Sequence, residues 1–372
     1  MHRDDRSVRA GALHHPQAAR QREPAEPPAC RDARAAGALL AARRAEIRPA
    51  AGHAEAPARA RLVLVRSGVV GPEDRAGLQE RGAGGSGRVA CGPVLVTGCS
   101  SGIGEAVALR LARAGWLVYA TARQLDTLDE CARAGCRTLS LDVTSEASMQ
   151  AAVSAIVDAH GAVGALVNVA GYSQSGAIEA VPPDDVRRQF ETNVFGPARL
   201  MQLVLPGMRH RRGGRIINIS SMGGRLTLPG GGYYHATKHA LEALSDAVRF
   251  EVARFGIDVV VVQPGLIRSR FAQAATSSLA SAWLTRPPYA RFHAEVARIT
   301  VESYVRGPMA RLAGTPDDVA RIVEAALRAR RPRTRYTVSA SATFLLTLRR
   351  MLPDRLWDRF LARTYPQPGT DD

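Results

Sequence analysis

The chain has 372 residues, 46% of them hydrophobic, enough to bury a sizeable core in one large domain or two modest ones. Its formal net charge is +16, but the arginines are scattered and often stand near Asp or Glu. There is no zinc-ligand spacing, no basic region followed by heptads and no aromatic RNA-binding signature, so specific nucleic-acid binding is not expected. No apolar run approaches the roughly 18 residues of a membrane-spanning helix. Five cysteines (Cys30, Cys91, Cys99, Cys131 and Cys136) make an odd number in a long chain. The start lacks an apolar signal core, so a reduced, cytoplasmic compartment is expected. Cys131 and Cys136 do not have metal-ligand spacing, and no metal site is expected.

Residues 1–91 are dense in Ala, Arg, Pro and Gly. Such a segment buries too little apolar surface to offset its ordering entropy. It is read as a mostly disordered, dispensable extension, consistent with a start codon placed too far upstream. Residues 92–372 are read as a single dinucleotide-binding domain. Its strand candidates are "PVLVTG" (93–98), "LVYATA" (117–122), "TLSLDV" (138–143), "ALVNVA" (165–170), "RIINIS" (215–220), "DVVVVQ" (258–263) and "YTVSA" (336–340). Near-continuous apolar character places them in a sheet covered on both faces. Helical patterns alternate with them, as in 104–115, 148–161 and 240–256. The expected fold is α/β, a doubly wound, Rossmann-type, mostly parallel seven-stranded sheet.

The first strand runs into "TGCSSGIG" and then a helix. Gly98, Gly102 and Gly104 allow a tight turn and close approach to a pyrophosphate, and the helix aims its N-terminal amides at that anion. At the end of the second strand, an acid would suit a free ribose hydroxyl. Ala122 and Arg123 stand there instead, and an arginine suits a 2′-phosphate, which favours NADP(H) and leaves NAD(H) as the second option. Asp142 and Val143 end the third strand, where they suit an adenine; Asp142 suits equally a helix cap. Asn168, Ala170 and Gly171 end the fourth strand: Asn168 to tie neighbouring strands, the small residues to admit a cofactor.

All but one of the 50 basic residues are arginine; the single lysine is Lys238. Tyr234 lies four residues earlier, on the same helix face. A nearby ammonium stabilises phenolate and is expected to lower the tyrosine pKa, making Tyr234 a usable acid/base. Ser221 ends the fifth strand with a hydroxyl, and Asn193 is a lone polar group in a helix.

The motifs "TGCSSGIG", "LDV", "NVAG", "ETNVFG", "ISSMGG", "YHATK" and "QPG" occur in this order, and the chain resembles the short-chain dehydrogenase/reductase family closely from Pro93 to Ser269 and more loosely to about residue 363. The resemblance implies that Tyr234 exchanges a proton with the substrate oxygen, Ser221 positions that oxygen, and Lys238 binds the nicotinamide ribose. Asn193 would hold a water linking Lys238 to solvent. Ser100, Ser101 and Ile103 would complete the glycine turn, and Pro264, Gly265, Ile267 and Ser269 the nicotinamide end. The chain departs from the family pattern at Val169, where Asn is usual, and at Ser269, where Thr is usual. A looser likeness to hydroxysteroid, retinol and acyl-dihydroxyacetone-phosphate reductases implies an apolar carbonyl or alcohol substrate. Residues 266–312 would form a lid whose Phe271, Leu279, Trp283, Leu284, Tyr289 and Phe292 line an apolar pocket. Residues 342–363, with Phe344, Leu345, Leu348, Leu352, Leu356, Trp357 and Phe360 among arginines, suit a packing helix, a peripheral lipid contact or a dimer contact. The family's habits imply a homo-oligomer. The rival reading from another class is a non-catalytic NADP(H)-sensing protein.

Overall fold

The computed structural model describes residues 92–269 and 288–369. The segment 1–91 and the lid residues Phe271, Leu279, Trp283 and Leu284 lie outside the described residues. Seven strands form one sheet: β1 (Val94–Val96), β2 (Val118–Ala122), β3 (Arg137–Ser140), β4 (Ala165–Asn168), β5 (Gly214–Ile219), β6 (Ile257–Pro264) and β7 (Arg335–Val338). Every pairing is parallel, in the order β3-β2-β1-β4-β5-β6-β7. The seven sequence candidates are these seven strands. The last one is shorter than read, because Ser339 turns out of the strand at φ +83° and caps the next helix.

The apolar runs read as strands because both faces are covered. Val94 and Val96 face one core and Leu95, between them, the other, as the two-residue strand period requires. The first face is covered by α1 (Gly102–Arg113), α2 (Asp129–Arg133) and, later in the chain, by 316–328. The second is covered by α3 (Glu146–His160) and by the long helical run of 183–210. That run is α4 (Pro183–Phe190), one wide π turn (Glu191–Phe195) and α5 (Gly196–His210). Leu95, Leu166 and Ile216 are fully buried, each contributing about 2 kcal/mol of apolar burial.

Beyond β5 come α6 (Gly232–Val252), α7 (Ala290–Val305), the single turn α8 (Pro308–Arg311) and α9 (Pro316–Arg328). Thr315 and Asp318 form a reciprocal capping box that starts α9. Arg215, 1% exposed on β5, closes its other end: its guanidinium donates to the carbonyls of Ala326, Leu327 and Ala329. The segment 342–363 is two helices rather than one, α10 (Ala340–Met351) and α11 (Asp354–Thr364), parted at Pro353. Leu345 and Trp357 are buried in a satellite core, while Phe344 and Leu356 remain exposed.

Strand order reverses beside β1: β2 lies on one side and β4 on the other. Ligands of open α/β sheets bind at the carboxyl ends of the strands next to such a switch point. The motif residues fall there.

Candidate active site

A cleft of about 1030 Å3 opens over the ends of β1, β4 and β5. This is at the upper end of ligand pockets, which run to about 1,000 Å3. Its floor is the turn between β1 and α1. Gly98 and Gly102 have φ of +72° and +64°, which L side chains rarely adopt. A Cβ on Gly104 would lie 2.1 Å from the Gly98 oxygen, so only glycine lets α1 start this close to β1. At Gly102 the nearest atom to an added Cβ is Ser269 Cβ at 3.8 Å, leaving the ground above the turn open. Ser101 precedes α1 in extended conformation and its side chain makes no cap hydrogen bond. The first amides of α1 therefore lack a side-chain cap, and the helix dipole adds to their pull on an anion.

Arg123 follows the last residue of β2, exposed at the cleft wall. Asp142 and Val143 line the same end. Asp142 Oδ1 accepts from the Thr144 amide and hydroxyl at 2.9 and 2.8 Å, a local turn, while the cap of α3 comes from Ser145. Ala170 and Gly171 line the cleft, whereas Asn168 sits behind it. The Asn168 amide donates to Asn218 Oδ1 at 2.9 Å, tying β4 to β5.

Tyr234 stands in the first turn of α6 and Lys238 one turn on. The Lys238 ammonium lies 5.8 Å from the centre of the Tyr234 ring and donates to the Ile219 carbonyl at 2.9 Å. Ser221 follows β5, accepts from the Gly223 amide at 3.0 Å, and hydrogen-bonds Tyr234. The expected lowering of the Tyr234 pKa is not found. Burial pushes it up to about 12, and the Ser221 hydrogen bond opposes this only in part. Lys238 is 6% exposed, and burial lowers its pKa to about 8 against the pull of Glu242. With Lys238 turned to a backbone carbonyl, the phenol is held as a neutral proton donor.

Asn193 does not reach the cleft wall. It lies in the π turn, invisible in the periodicity of "ETNVFG", and faces the loop after β4. Its amide nitrogen donates to Tyr172 O at 2.8 Å and Thr237 Oγ1 at 3.1 Å, and Oδ1 accepts from the Tyr172 amide. A Cβ on Gly171 would sit 3.0 Å from Asn193 Oδ1 and 3.7 Å from Lys238 Nζ, so glycine keeps the space between the two clear. Pro264, Gly265, Ile267 and Ser269 close the cleft from β6 and the loop after it.

Sequence reasoning missed several supports. Thr97 Oγ1 accepts from the amides of Val169 and Ala170, pinning β4 to the glycine turn. His235 packs on Gly223 so closely that a Cβ there would stand 2.2 Å from its Nδ1. Burial lowers the His235 pKa to about 4, so the ring is neutral and Nδ1–H donates to the Gly223 carbonyl. It fixes the Ser221 loop to the helix of Tyr234. The position beside Tyr234 in "YHATK" was its only signal. Of the six residues expected to line an apolar pocket, the two described ones are placed elsewhere. Tyr289 and Phe292 face a second groove of about 750 Å3 with Trp357 and Leu361. The described walls near Tyr234 carry Ser173, Ser175, Thr300, Ser303, Tyr304 and Tyr365 beside the apolar Met222, Leu228, Leu266 and Val296. No metal-holding cluster occurs, and no helix is long and apolar enough to cross a membrane, among the described residues.

The family model for short chain dehydrogenases matches residues 93–280. Human retinol dehydrogenase 5 is 36% identical over 289 residues, covering 74% of this chain and 89% of that protein. A short-chain dehydrogenase from Streptomyces avermitilis has a solved structure that is 33% identical, with a TM-score of 0.60, covering 76% of this chain and 99% of that one. A single-residue variant of the actinorhodin polyketide ketoreductase, solved with NADPH, is 31% identical with a TM-score of 0.56, covering 66% of this chain and 95% of that one. Sheet order, glycine turn, site residues and these likenesses agree: the chain belongs to the short-chain dehydrogenase family.

Proposed function

We propose that this protein is an NADP(H)-dependent oxidoreductase that interconverts a carbonyl and an alcohol, with Tyr234 as proton donor and acceptor. The observation that carries the reading is the meeting of Ser221, Tyr234 and Lys238 in one cleft with the glycine turn. The open ground above Gly102 and the amides of α1 fit a pyrophosphate. Arg123, with no acid at the end of β2, fits a 2′-phosphate. The ketoreductase solved with NADPH supports the same cofactor. When bound, the nicotinamide supplies or accepts a hydride.

In the reductive direction the neutral phenol of Tyr234 donates its proton to the substrate oxygen as negative charge develops there. Ser221 donates a hydrogen bond that holds that oxygen. With a nucleotide bound, Lys238 would hold its ribose hydroxyls in place of the Ile219 carbonyl, and its charge would favour the phenolate form of Tyr234. Asn193 and Lys238 face a common space kept clear by Gly171, where a water can return the proton. Retinol dehydrogenase 5 among the relatives supports a partly apolar substrate. Phe250, 89% exposed on α6, supports self-association. Phe344, Met351 and Leu356, exposed beside Arg350, Arg355 and Arg359, support peripheral contact with an anionic lipid surface.

A screen of NADPH and NADH oxidation over ketones and aldehydes tests the reading. Turnover at least tenfold faster with NADPH is expected. Tight nucleotide binding with no turnover of any carbonyl would replace it with a sensing role.

A further inference from the structure

The substrate end of the cleft sets hydroxyl groups among the apolar side chains of Met222, Leu228, Leu266 and Val296. On α7, Thr300, Ser303 and Tyr304 share one face, as the i, i+3, i+4 spacing requires, and line the cleft opposite the Tyr234 helix. Thr300 satisfies its hydroxyl within the helix, donating to Val296 O at 2.7 Å. Tyr304 differs. Its ring packs against the satellite core of Met222, Leu226 and Leu266. Tyr304 is half-buried, and its hydroxyl, which is not cut off from solvent, has no hydrogen-bond partner among the described residues. Burial and the neighbouring Tyr234 both push the Tyr304 pKa up, so the group is a neutral donor at any physiological pH. Tyr234 has Ser221 as its partner; Tyr304 presents a second donor in the same chamber.

We propose that Tyr304 anchors a second oxygen of the substrate, a few bonds from the reacting carbon. The preferred substrates are then vicinal or β-oxygenated carbonyl compounds (diketones, hydroxyketones or keto esters) rather than ketones with a bare hydrocarbon body. The inference rests on the reductase reading and narrows it. A bound substrate without that oxygen shuts water away from the phenol and leaves it unpaired, which is how a polar site rejects an isostere that an apolar pocket would accept.

The test compares 1-phenylpropane-1,2-dione with 1-phenylpropan-1-one, which lacks the second oxygen, in wild-type and Tyr304→Phe proteins. The phenylalanine keeps the packed ring, and an unchanged NADPH Kd verifies an intact fold. The double ratio of kcat/KM cancels the greater intrinsic reactivity of the diketone. Tyr304→Phe is expected to lower kcat/KM for the diketone about tenfold more than for the ketone, mainly through KM. A double ratio within twofold of unity overturns the anchoring role. If neither compound is reduced, the wider carbonyl screen decides the reductase reading separately. The same double ratio is then measured from the Kd values of the two compounds on NADPH-bound protein, where a value near unity again overturns the inference.

Discussion

Replacing Lys238 with methionine should stabilise the fold while crippling the site. Lys238 is 6% exposed, and burial brings its pKa from 10.5 to about 8. Holding it charged at pH 7 therefore costs about 3 kcal/mol. Against this stands the hydrogen bond to Ile219 O, worth about 1.5–3 kcal/mol for a charged donor. Methionine fills the same space without charge, so a net gain of about 1 kcal/mol is expected at pH 7, a few degrees in Tm. The pH dependence has a definite sign. The folded pKa lies below the unfolded one, so between pH 8 and 10.5 the unfolded state binds more protons and the wild type gains stability as pH rises. The variant lacks this gain, and its advantage should shrink across that window and be gone above it. Urea unfolding of both proteins at about pH 7 and about pH 9.5 measures it. A variant less stable at neutral pH, or a stability gap that does not move toward the wild type at the alkaline pH, would refute the assignment of Lys238 as a strained, buried charge.

Further outcomes follow from the same geometry. Gly104→Ala places a Cβ 2.1 Å from the Gly98 oxygen; the turn must shift, at a cost of about 1–3 kcal/mol, and NADPH affinity by calorimetry should fall at least tenfold. Arg123→Asp removes the cation beyond β2 and supplies a ribose acceptor in its place. NADPH affinity should drop by about 10- to 100-fold while NADH affinity rises; equal losses for both nucleotides would remove Arg123 from the 2′-phosphate site. Because Lys238 loses its proton near pH 8 rather than 10.5, kcat/KM for NADPH should be level below that pH and decline above it. A profile level to about pH 10 would show that the ammonium is not needed.

The sheet was legible because each strand is covered on both faces and so reads as an unbroken apolar run. Val94, Leu95 and Val96 face two different cores yet carry the same chemistry. The glycine turn and the Tyr234–Lys238 pair were legible because their spacing is local. What escaped depends on contacts between distant segments. The π turn at Asn193 is a one-residue widening with no compositional mark. Thr97 and His235 act through backbone atoms 72 and 12 residues away. The direction of the Tyr234 shift was missed for the same reason: helix spacing reveals a neighbouring ammonium but not the depth of burial, and burial won. Tyr289 and Phe292 are aromatic residues in the lid segment, and only the tertiary arrangement, which sets them around one groove with Trp357 and Leu361, decides which groove they face.

The most direct test of the account is single-turnover oxidation of NADPH by Tyr234→Phe on the best carbonyl from the screen. The rate should fall by about two to four orders of magnitude, with the NADPH Kd within twofold of wild type and Ser221 and Lys238 left in place. Turnover near the wild-type rate would show that the proton does not come from Tyr234.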